Sequence, residues 1–510
     1  MIKIGVIDLG SNTSRLVIYA CEPGVSYKLV DQVRERVRLA EGIGPDGALH
    51  EEPIRRALES LTLFRSLCKA SQVDKVIALA TSATRDASNQ ALFLQRAKAA
   101  CGVELRVLSG EEEAYYGYLG MINAFQHDDC FMFDVGGGSA QVTQVVNRQV
   151  RHGFSLPLGA VRMSERFFTS TPPSRKQIEA LYDYVSERLS QHLARLKSPA
   201  PLIGSGGTAR ALAKLDQETR RYPMDRIHGY ELSVDALDSL IKRMSRMTLS
   251  ELEKMPGMND ERTDVILGGA LVIRAIARVG KFDSILISGT GVREGAFFEQ
   301  FLKDDQPHTD LQAPPVFVNP RQFAVDNMAH QYQVWHEHSF HVRKLACDLF
   351  DALRPLHGFG AAERELLCAG ALLHDIGYRV SYYNHDKHSQ YLIESGDLPA
   401  FTHREIALIG LMTRYHRKGE PDCTQYADIF VKDDAMRARV LAGMVRLAEY
   451  LERGRRQIVR GVTCQLERGE IVVRADILPH LRAEASMELW EAQRHSTLLA
   501  QALGRNIRVV

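Results

Sequence analysis

The chain has 510 residues, too many for one hydrophobic core and enough for three or four domains. Its 64 Lys and Arg stand against 63 Asp and Glu, a formal net charge of +1, so bulk charge announces neither nucleic-acid nor membrane binding, and an acidic substrate has to be held by local clusters. The eight cysteines (Cys21, Cys68, Cys101, Cys130, Cys347, Cys368, Cys423, Cys464) lack the short paired spacing of a zinc or iron–sulfur site. They read as reduced thiols, and with no signal sequence and no membrane-length apolar run the expectation is a soluble cytoplasmic protein.

From Lys3 to about Phe125, strand-like runs (Ile4 to Asp8, Leu16 to Ala20, Val76 to Ala80, Glu104 to Leu108) alternate with helix-like runs (Pro53 to Ala70, Asn89 to Ala100), an α/β layout. The plan returns between about Asp128 and Phe301. Each half opens with an apolar strand ending in aspartate, a turn of small residues and a second strand. In IKIGVIDLGSNTSRLVIYA these are Asp8 and Gly10, Ser11, Asn12, Thr13; in FMFDVGGGSAQV they are Asp134 and Gly136, Gly137, Gly138, Ser139. A third turn, Gly206, Gly207 and Thr208, follows the apolar run in PLIGSGGTARALA. Glycine turns let backbone amides approach an anion, hydroxyls add donors, and an adjacent aspartate can hold a cation. Two lobes aiming such turns at each other place a phosphate ligand in the cleft between them.

Between Lys303 and Pro320 four prolines and weak periodicity suit a linker. Arg321 to roughly Arg456 reads as helices, VTCQLERGEIVVRAD as a hairpin about Gly469, and His480 to Leu503 as one closing helix. The expected domains are 1–125, 126–303, a linker 304–320, a helical domain 321–458 and a small α+β domain 459–510.

Three glutamates open the segment SGEEEAYYGYLG, where they suit the positive end of a helix; a carboxylate facing a phosphate cradle can also deprotonate a water in line with phosphorus. Arg85 in TSATRDA stands just after a strand, where a guanidinium can clamp a phosphate. Arg34, Arg36 and Arg38 share one face of an expected strand, either solvated or lining a polyanion path.

DLGSNTSRL, SGEEEA, DVGGGS, GSGGT and GTGVREG, in this order and spacing, resemble the Ppx/GppA family of exopolyphosphatases and guanosine pentaphosphate phosphohydrolases, and the resemblance extends to RYHRKG in the helical region. It implies two actin/sugar-kinase/Hsp70-like (ribonuclease H-like) lobes, 1–125 and 126–303, with phosphoanhydride hydrolysis in their cleft. It also implies Glu113 as catalytic carboxylate, Asp134 with Asp8 and Glu113 around Mg²⁺ (or Mn²⁺), Arg85 as a phosphate ligand, the three glycine turns as phosphate loops, and a homodimer; K⁺ is a further candidate cofactor.

In the helical region His341, the His374-Asp375 pair and the later His385 and His388 resemble the HD phosphohydrolase superfamily, whose set binds divalent metal. The last position of that set, usually aspartate, is here Glu449, whose extra methylene displaces the oxygen; the reading therefore favours a structural HD-like fold over a second catalytic centre. Arg36, His388, Arg414, His416, Arg417 and Lys418 are assigned instead to a polyphosphate path, and the dense cluster Arg453, Arg455, Arg456 and Arg460 reads as a solvated face, part of a polyphosphate channel or a dimer-spanning groove.

The expected function is a magnesium-dependent exopolyphosphatase that releases orthophosphate from inorganic polyphosphate. Its rivals are a guanosine pentaphosphate (pppGpp) 5′-phosphohydrolase using the same site, a non-catalytic regulator that binds alarmone (pppGpp or ppGpp) or polyphosphate, a hydrolase working from the HD-like region, and an ATP-using kinase of the same fold. Neither nucleic acid nor membrane is an expected partner.

Overall fold

The apolar runs at the start of each half fold as meanders. β1 (Ile2–Leu9), β2 (Ser14–Glu22) and β3 (Ser26–Glu35) pair antiparallel, and β4 (Lys75–Ala80) and β5 (Arg106–Val107) then join in parallel, in the order β3-β2-β1-β4-β5. The second half repeats this with β6 (Cys130–Val135), β7 (Ala140–Val146), β8 (Gln149–Leu156) and β9 (Leu202–Ser205), extended at the far edge by β10 (Glu231–Ser233) and β11 (Ser284–Ile287). The computed structural model describes residues 1–43, 46–193, 200–303, 314–334 and 336–510. The described chain forms two units, Met1–Tyr222 with Arg226–Pro320, and Arg321–Val510 with Pro223–Asp225.

In the first unit, helices cover the sheets because their apolar residues recur every three or four positions. On the helix Glu51–Ala70, Ile54, Ala57, Leu61, Phe64 and Cys68 fall on one face and are buried. They join Ile7, Leu9, Leu16 and Phe93 in the first lobe's core. Phe131 and Phe133 of β6 meet Leu181, Val185 and Leu189 of the helix Arg175–Leu193 in the second.

The chain-order boundary at 125/126 does not coincide with packing. The helix Gly110–Ile122, which follows the first sheet, packs on β6, β7 and β8, whereas Val292–Lys303, which follows the second, packs on β1. On the first lobe Phe297 stacks on Tyr19, ring centroids 4.2 Å apart. The two exchanged helices cross at backbone contact. A Cβ on Gly120 would lie 2.1 Å from the Gly291 carbonyl oxygen, and one on Gly295 would lie 1.9 Å from that of Tyr116. Only hydrogen fits at these two positions.

In the second unit the helices Pro320–Gln331, His336–His357, Ala361–Leu373, His385–Ser395, His403–Tyr415 and Asp434–Leu451 surround a core that includes Leu345, Leu372, Ile409 and Val445. Contrary to the reading of eight reduced thiols, Cys347 and Cys368, on adjacent packed helices, are paired as a disulfide. The hairpin about Gly469 forms: β12 (Val459–Glu467) and β13 (Glu470–Ile477) are joined by Arg468 and Gly469, both at positive φ, and β14 (Ile507–Val509) adds in parallel. The expected closing helix is broken into a short turn Pro479–Leu481, started by a proline at its first position, and two helices, Ser486–His495 and Thr497–Leu503. These pieces pack on Asp434–Leu451, so 459–510 belongs to the same unit as the helices. Of the expected linker 304–320, residues 304–313 lie outside the described residues. Among the described residues no helix is long and apolar enough to cross a membrane.

The helix crossing is directly testable. Gly295→Ala is expected to destabilise the first unit by about 3 kcal/mol or more, since the clash is with backbone rather than a mobile side chain; a shift in the urea midpoint measures it.

Candidate functional site

The two meander turns are built alike and face one another. Gly10 N–H donates to Thr13 O at 3.1 Å and Gly136 N–H to Ser139 O at 3.0 Å, each closing a four-residue turn that carries its preceding aspartate to the same place. They touch through glycine. A Cβ on Gly138 would lie 2.5 Å from Ser82 Oγ and 3.0 Å from Ser11 Oγ, and those two hydroxyls are themselves 2.9 Å apart. Between the turns lies a cleft of about 120 Å³, lined by Asp8, Gly10 to Thr13, Glu113, Asp134, Gly136, Gly137, Gly206 and Gly207 together with Arg15, Arg210, Arg262 and Arg293. A wider cavity of about 390 Å³ shares Ser11, Asn12, Val161 and Val265 with it and adds Arg38, Glu41, Glu165, Phe168 and Asp264.

Glu113 sits one turn into its helix, whose start is fixed by a reciprocal cap: Ser109 Oγ accepts from Glu112 N–H, and Glu112 returns a bond to Ser109 N–H. That division of labour separates the three glutamates. Glu112 caps, Glu111 stays at the exposed start of the helix, and Glu113 turns inward, 7% exposed. One Glu113 oxygen accepts from Arg85 Nη1 at 2.9 Å, and Ser139 Oγ lies 3.5 Å from both oxygens. Burial pushes the Glu113 carboxyl up to about 7 against the pull of Arg85.

The cleft holds both signs of charge at a cost. Burial raises the Asp8 and Asp134 carboxyls above the usual range, although Arg293 with Arg15, and Arg210, act against it. Burial also lowers the guanidiniums of Arg15, Arg210 and Arg262, and their neighbouring arginines press them down further. Buried carboxylates and buried guanidiniums thus share the same small space, each stripped of most of its hydration.

Several expected roles are redistributed. Arg85 does not line the cleft; its guanidinium is engaged by Glu113 and by Leu108 O at 3.0 Å, which makes it a holder of the carboxylate. Gly138 makes room for the opposite turn, and Ser139, accepting from Gln141 Nε2 at 2.9 Å, stands beside Glu113. Thr208 faces Gly269 inside the second lobe, because it lies within the helix Gly207–Arg220 rather than in the turn before it. Gly207 is needed by Arg262, whose guanidinium fills the place a Cβ would take. Arg34, Arg36 and Arg38 do not share one strand face: β3 ends at Glu35 and Arg38 has φ +46°. Arg34 pairs with Glu261 at 2.5 Å, and Arg36 and Arg38 pair with Asp264. Sequence reasoning missed Arg15, Arg210, Arg262 and Arg293. Arg15 and Arg293 stand inside the DLGSNTSRL and GTGVREG segments, where the glycines drew attention from them.

The second unit holds a separate cluster. His338, His374, Asp375, His385, His416 and Glu449 are buried with their polar atoms converging. His338 takes the place expected for His341, one turn earlier on the same helix; His341 Nε2 instead donates to Val459 O at 2.7 Å. His416 is fully buried against Asp375 and is not part of an exposed path, and Arg414 is engaged by Asp386. Arg417 and Lys418 line a cavity of about 420 Å³ with Tyr382, Tyr383, Tyr450 and His495, whereas His388, half-buried on the helix His385–Ser395, is not among its lining. Burial drives the His416 imidazole down to about 4, while His374, despite its burial, is raised by Asp375 and Glu449 to about 10.

Two tandem lobes, each a meander continued by parallel strands and joined at a cleft of glycine turns and carboxylates, define a phosphohydrolase of two-lobed α/β architecture. The Ppx/GppA phosphatase family matches residues 17–304, and the domain III of that family matches 321–494; the chain belongs to the Ppx/GppA phosphatase family. It is 28% identical over 325 residues to exopolyphosphatase 1 of Mycobacterium tuberculosis, covering 61% of this chain and 94% of that protein. It is 26% identical over 423 residues to a guanosine-5′-triphosphate,3′-diphosphate pyrophosphatase of Vibrio vulnificus, covering 81% and 80%. Among solved structures, an exopolyphosphatase from Cytophaga hutchinsonii matches with a TM-score of 0.55 at 25% identity (59% of this chain, 97% of that one). The Ppx/GppA family member of Aquifex aeolicus matches with 0.52 at 26% (60% and 99%).

Because Arg85 lowers the Glu113 carboxyl that burial raises, Arg85→Met is expected to move its titration above 7. A ¹³C-carboxylate NMR titration of the two proteins reads the direction, and a shift to lower pH would contradict the pairing.

Proposed function

We propose that this chain hydrolyses terminal phosphoanhydride bonds, with inorganic polyphosphate as substrate and orthophosphate as product. The observation that carries the reading is the lining of the cleft, where Asp8, Asp134 and Glu113 stand with Arg15, Arg210 and Arg262 around one small space; burial raises these carboxyls and lowers these guanidiniums. A phosphate chain accompanied by a divalent cation relieves both at once. The donors available to a cation are carboxylate oxygens, with no histidine or cysteine among the lining, which fits a hard ion such as Mg²⁺ (or Mn²⁺) held by Asp8 and Asp134. When bound, such an ion neutralises charge on the phosphate oxygens.

The chain's own residues do the rest. The guanidiniums of Arg15, Arg210 and Arg293 and the turns Gly10 to Thr13 and Gly136 to Gly137 hold the terminal phosphate at the cleft floor. Glu113, oriented by Arg85 and Ser139, takes the proton of the attacking water. A carboxylate poised near pH 7 is a suitable base at that pH, and its presence argues against a purely ligand-binding regulator.

A second reading, hydrolysis of pppGpp at the same floor, is favoured by the wider cavity. It is roomier than the cleft floor, and its carboxylates Glu41, Glu165 and Asp264 offer acceptors to the N–H groups of a purine.

Glu113→Gln is expected to lower phosphate release about a hundredfold or more with unchanged unfolding behaviour; near-normal turnover would sink the mechanism. For the unsubstituted chain, kcat/KM should fall below about pH 7 at low Mg²⁺, where Glu113 gains a proton, and that limb should move to lower pH as Mg²⁺ rises, since a nearby cation favours the ionised carboxylate. Phosphate release from long-chain polyphosphate and from pppGpp, measured side by side, decides between the substrates.

A further inference from the structure

Arg262 lines the cleft with Arg15, Arg210 and Arg293 but reaches it by another route. It stands in a single turn, Asp260–Arg262, ahead of the helix Ile266–Gly280. Asn259 Oδ1 accepts from Glu261 N–H at 3.1 Å, Arg262 N–H donates to Asn259 O at 2.9 Å and Val265 N–H to Arg262 O at 3.0 Å, which fixes the turn. Side chains three apart on such a turn share a side, whereas consecutive ones diverge. Glu261 and Asp264 accordingly leave it together, toward the first lobe, and Arg262 leaves it toward Gly207, whose missing Cβ gives the guanidinium its room.

The first lobe grips both carboxylates. Arg34 pairs with Glu261, and Arg36 Nη2 lies 3.2 Å from each oxygen of Asp264. Arg38 pairs with Asp264 as well and is itself anchored: its N–H donates to Asn12 O at 2.9 Å and its Nη1 to Glu41 at 3.2 Å. A continuous path thus runs from the turn Gly10 to Thr13 through Arg38 and Asp264 to Arg262, over the third turn at Gly207. The charges agree with the geometry. Burial and the charges of Arg210 and Arg34 lower the Arg262 guanidinium, and Glu261 and Asp264 act against them, so the two carboxylates also shield Arg262 from the arginines of the opposite lobe. Ion pairs whose side chains are 30–36% exposed stabilise a fold little. Three of them on two carboxylates that flank one cleft residue fix its geometry.

We propose that Glu261 and Asp264 are positioning residues for phosphate binding that act through Arg262: the grip of Arg34, Arg36 and Arg38 on them sets the Arg262 guanidinium against the bound phosphate chain, and its release withdraws the guanidinium. This rests on the cleft being a phosphate site. Arg38 and Asp264 also line the wider cavity, and Val265 lines both spaces, which puts Arg262 at their junction, on the phosphates behind the terminal one.

The test is steady-state phosphate release by the full chain from long-chain polyphosphate and from pppGpp at saturating Mg²⁺, with kcat and KM separated for whichever is turned over. Asp264→Asn and Glu261→Gln are each expected to raise KM about tenfold, with kcat within about twofold and the urea midpoint unmoved, because a held contact to substrate is lost and no packing is. Arg34→Glu should raise KM likewise, and combining it with Glu261→Arg should return KM to within about threefold of the unsubstituted chain. In an Arg262→Gln background Asp264→Asn should add nothing, since the residue it positions is gone. An unchanged KM in Asp264→Asn, or a further tenfold rise in the Arg262→Gln background, would overturn the inference, as would a urea midpoint that falls in step with the rise in KM, the mark of a structural role. Release of phosphate from neither substrate by the unsubstituted chain would count against the proposed function instead. Calorimetric binding of tripolyphosphate then makes the same comparison: about tenfold weaker binding by Asp264→Asn supports the positioning, and equal binding refutes it.

Discussion

Charges of both signs withdrawn from water into one small cleft are the constraint around which the amino-terminal unit is built. Carboxylates and guanidiniums in such a space are tolerable only if the backbone holds them at fixed separation and a ligand completes their neutralisation. The first condition is met by the repeated meander. Each lobe delivers one aspartate at the end of its first strand and one small-residue turn beyond it, and the two turns touch where Gly138 meets Ser11 and Ser82. The site is therefore a property of the interface between two copies of one motif and of neither alone.

Exchange of helices makes that interface permanent. Gly110–Ile122 leaves the first sheet to cover the second, and Val292–Lys303 does the reverse, so each lobe's core is completed by chain belonging to the other. Glu113 rides on one exchanged helix, while Arg293 and Glu294 ride at the start of the other, where Glu294 accepts from Gly291 N–H at 2.8 Å.

The duplication was legible in the sequence because its signals are local: alternating apolar runs, aspartate at a strand end, glycine immediately after. Glu113 could be separated from Glu111 and Glu112 only by its place in a recognised segment; capping geometry supplies the physical reason. What stayed hidden depends on distant contacts. Arg85 looked like a phosphate ligand, but the proximity of Glu113, 28 residues later, gives it another partner. His341 and His338 lie one turn apart on the same helix, and only the position of Glu449 decides which faces the cluster. His416 sits in a basic run that reads as surface, yet its ring is the one member of RYHRKG turned fully inward. The break in the closing helix was missed because the pattern over His480 to Leu503 stays helical, although the chain leaves the helix between Leu481 and Ser486 and again at Ser496.

The glycine crossing of the exchanged helices also sets a mechanical scale. Backbone touching backbone at Gly120 and Gly295 is the closest approach two helices can make, and it gives the lobes a fulcrum with almost no radius. Glu113 lies seven residues from Gly120 on the same helix, about 10 Å along its axis. The pairs that bridge the lobes at Arg34–Glu261 and Arg36–Asp264 belong to other segments, the end of β3 and the chain before the helix Ile266–Gly280. Any rotation about that crossing would swing each group in proportion to its distance from it, and the short arm carrying Glu113 would keep the displacement of its carboxylate small.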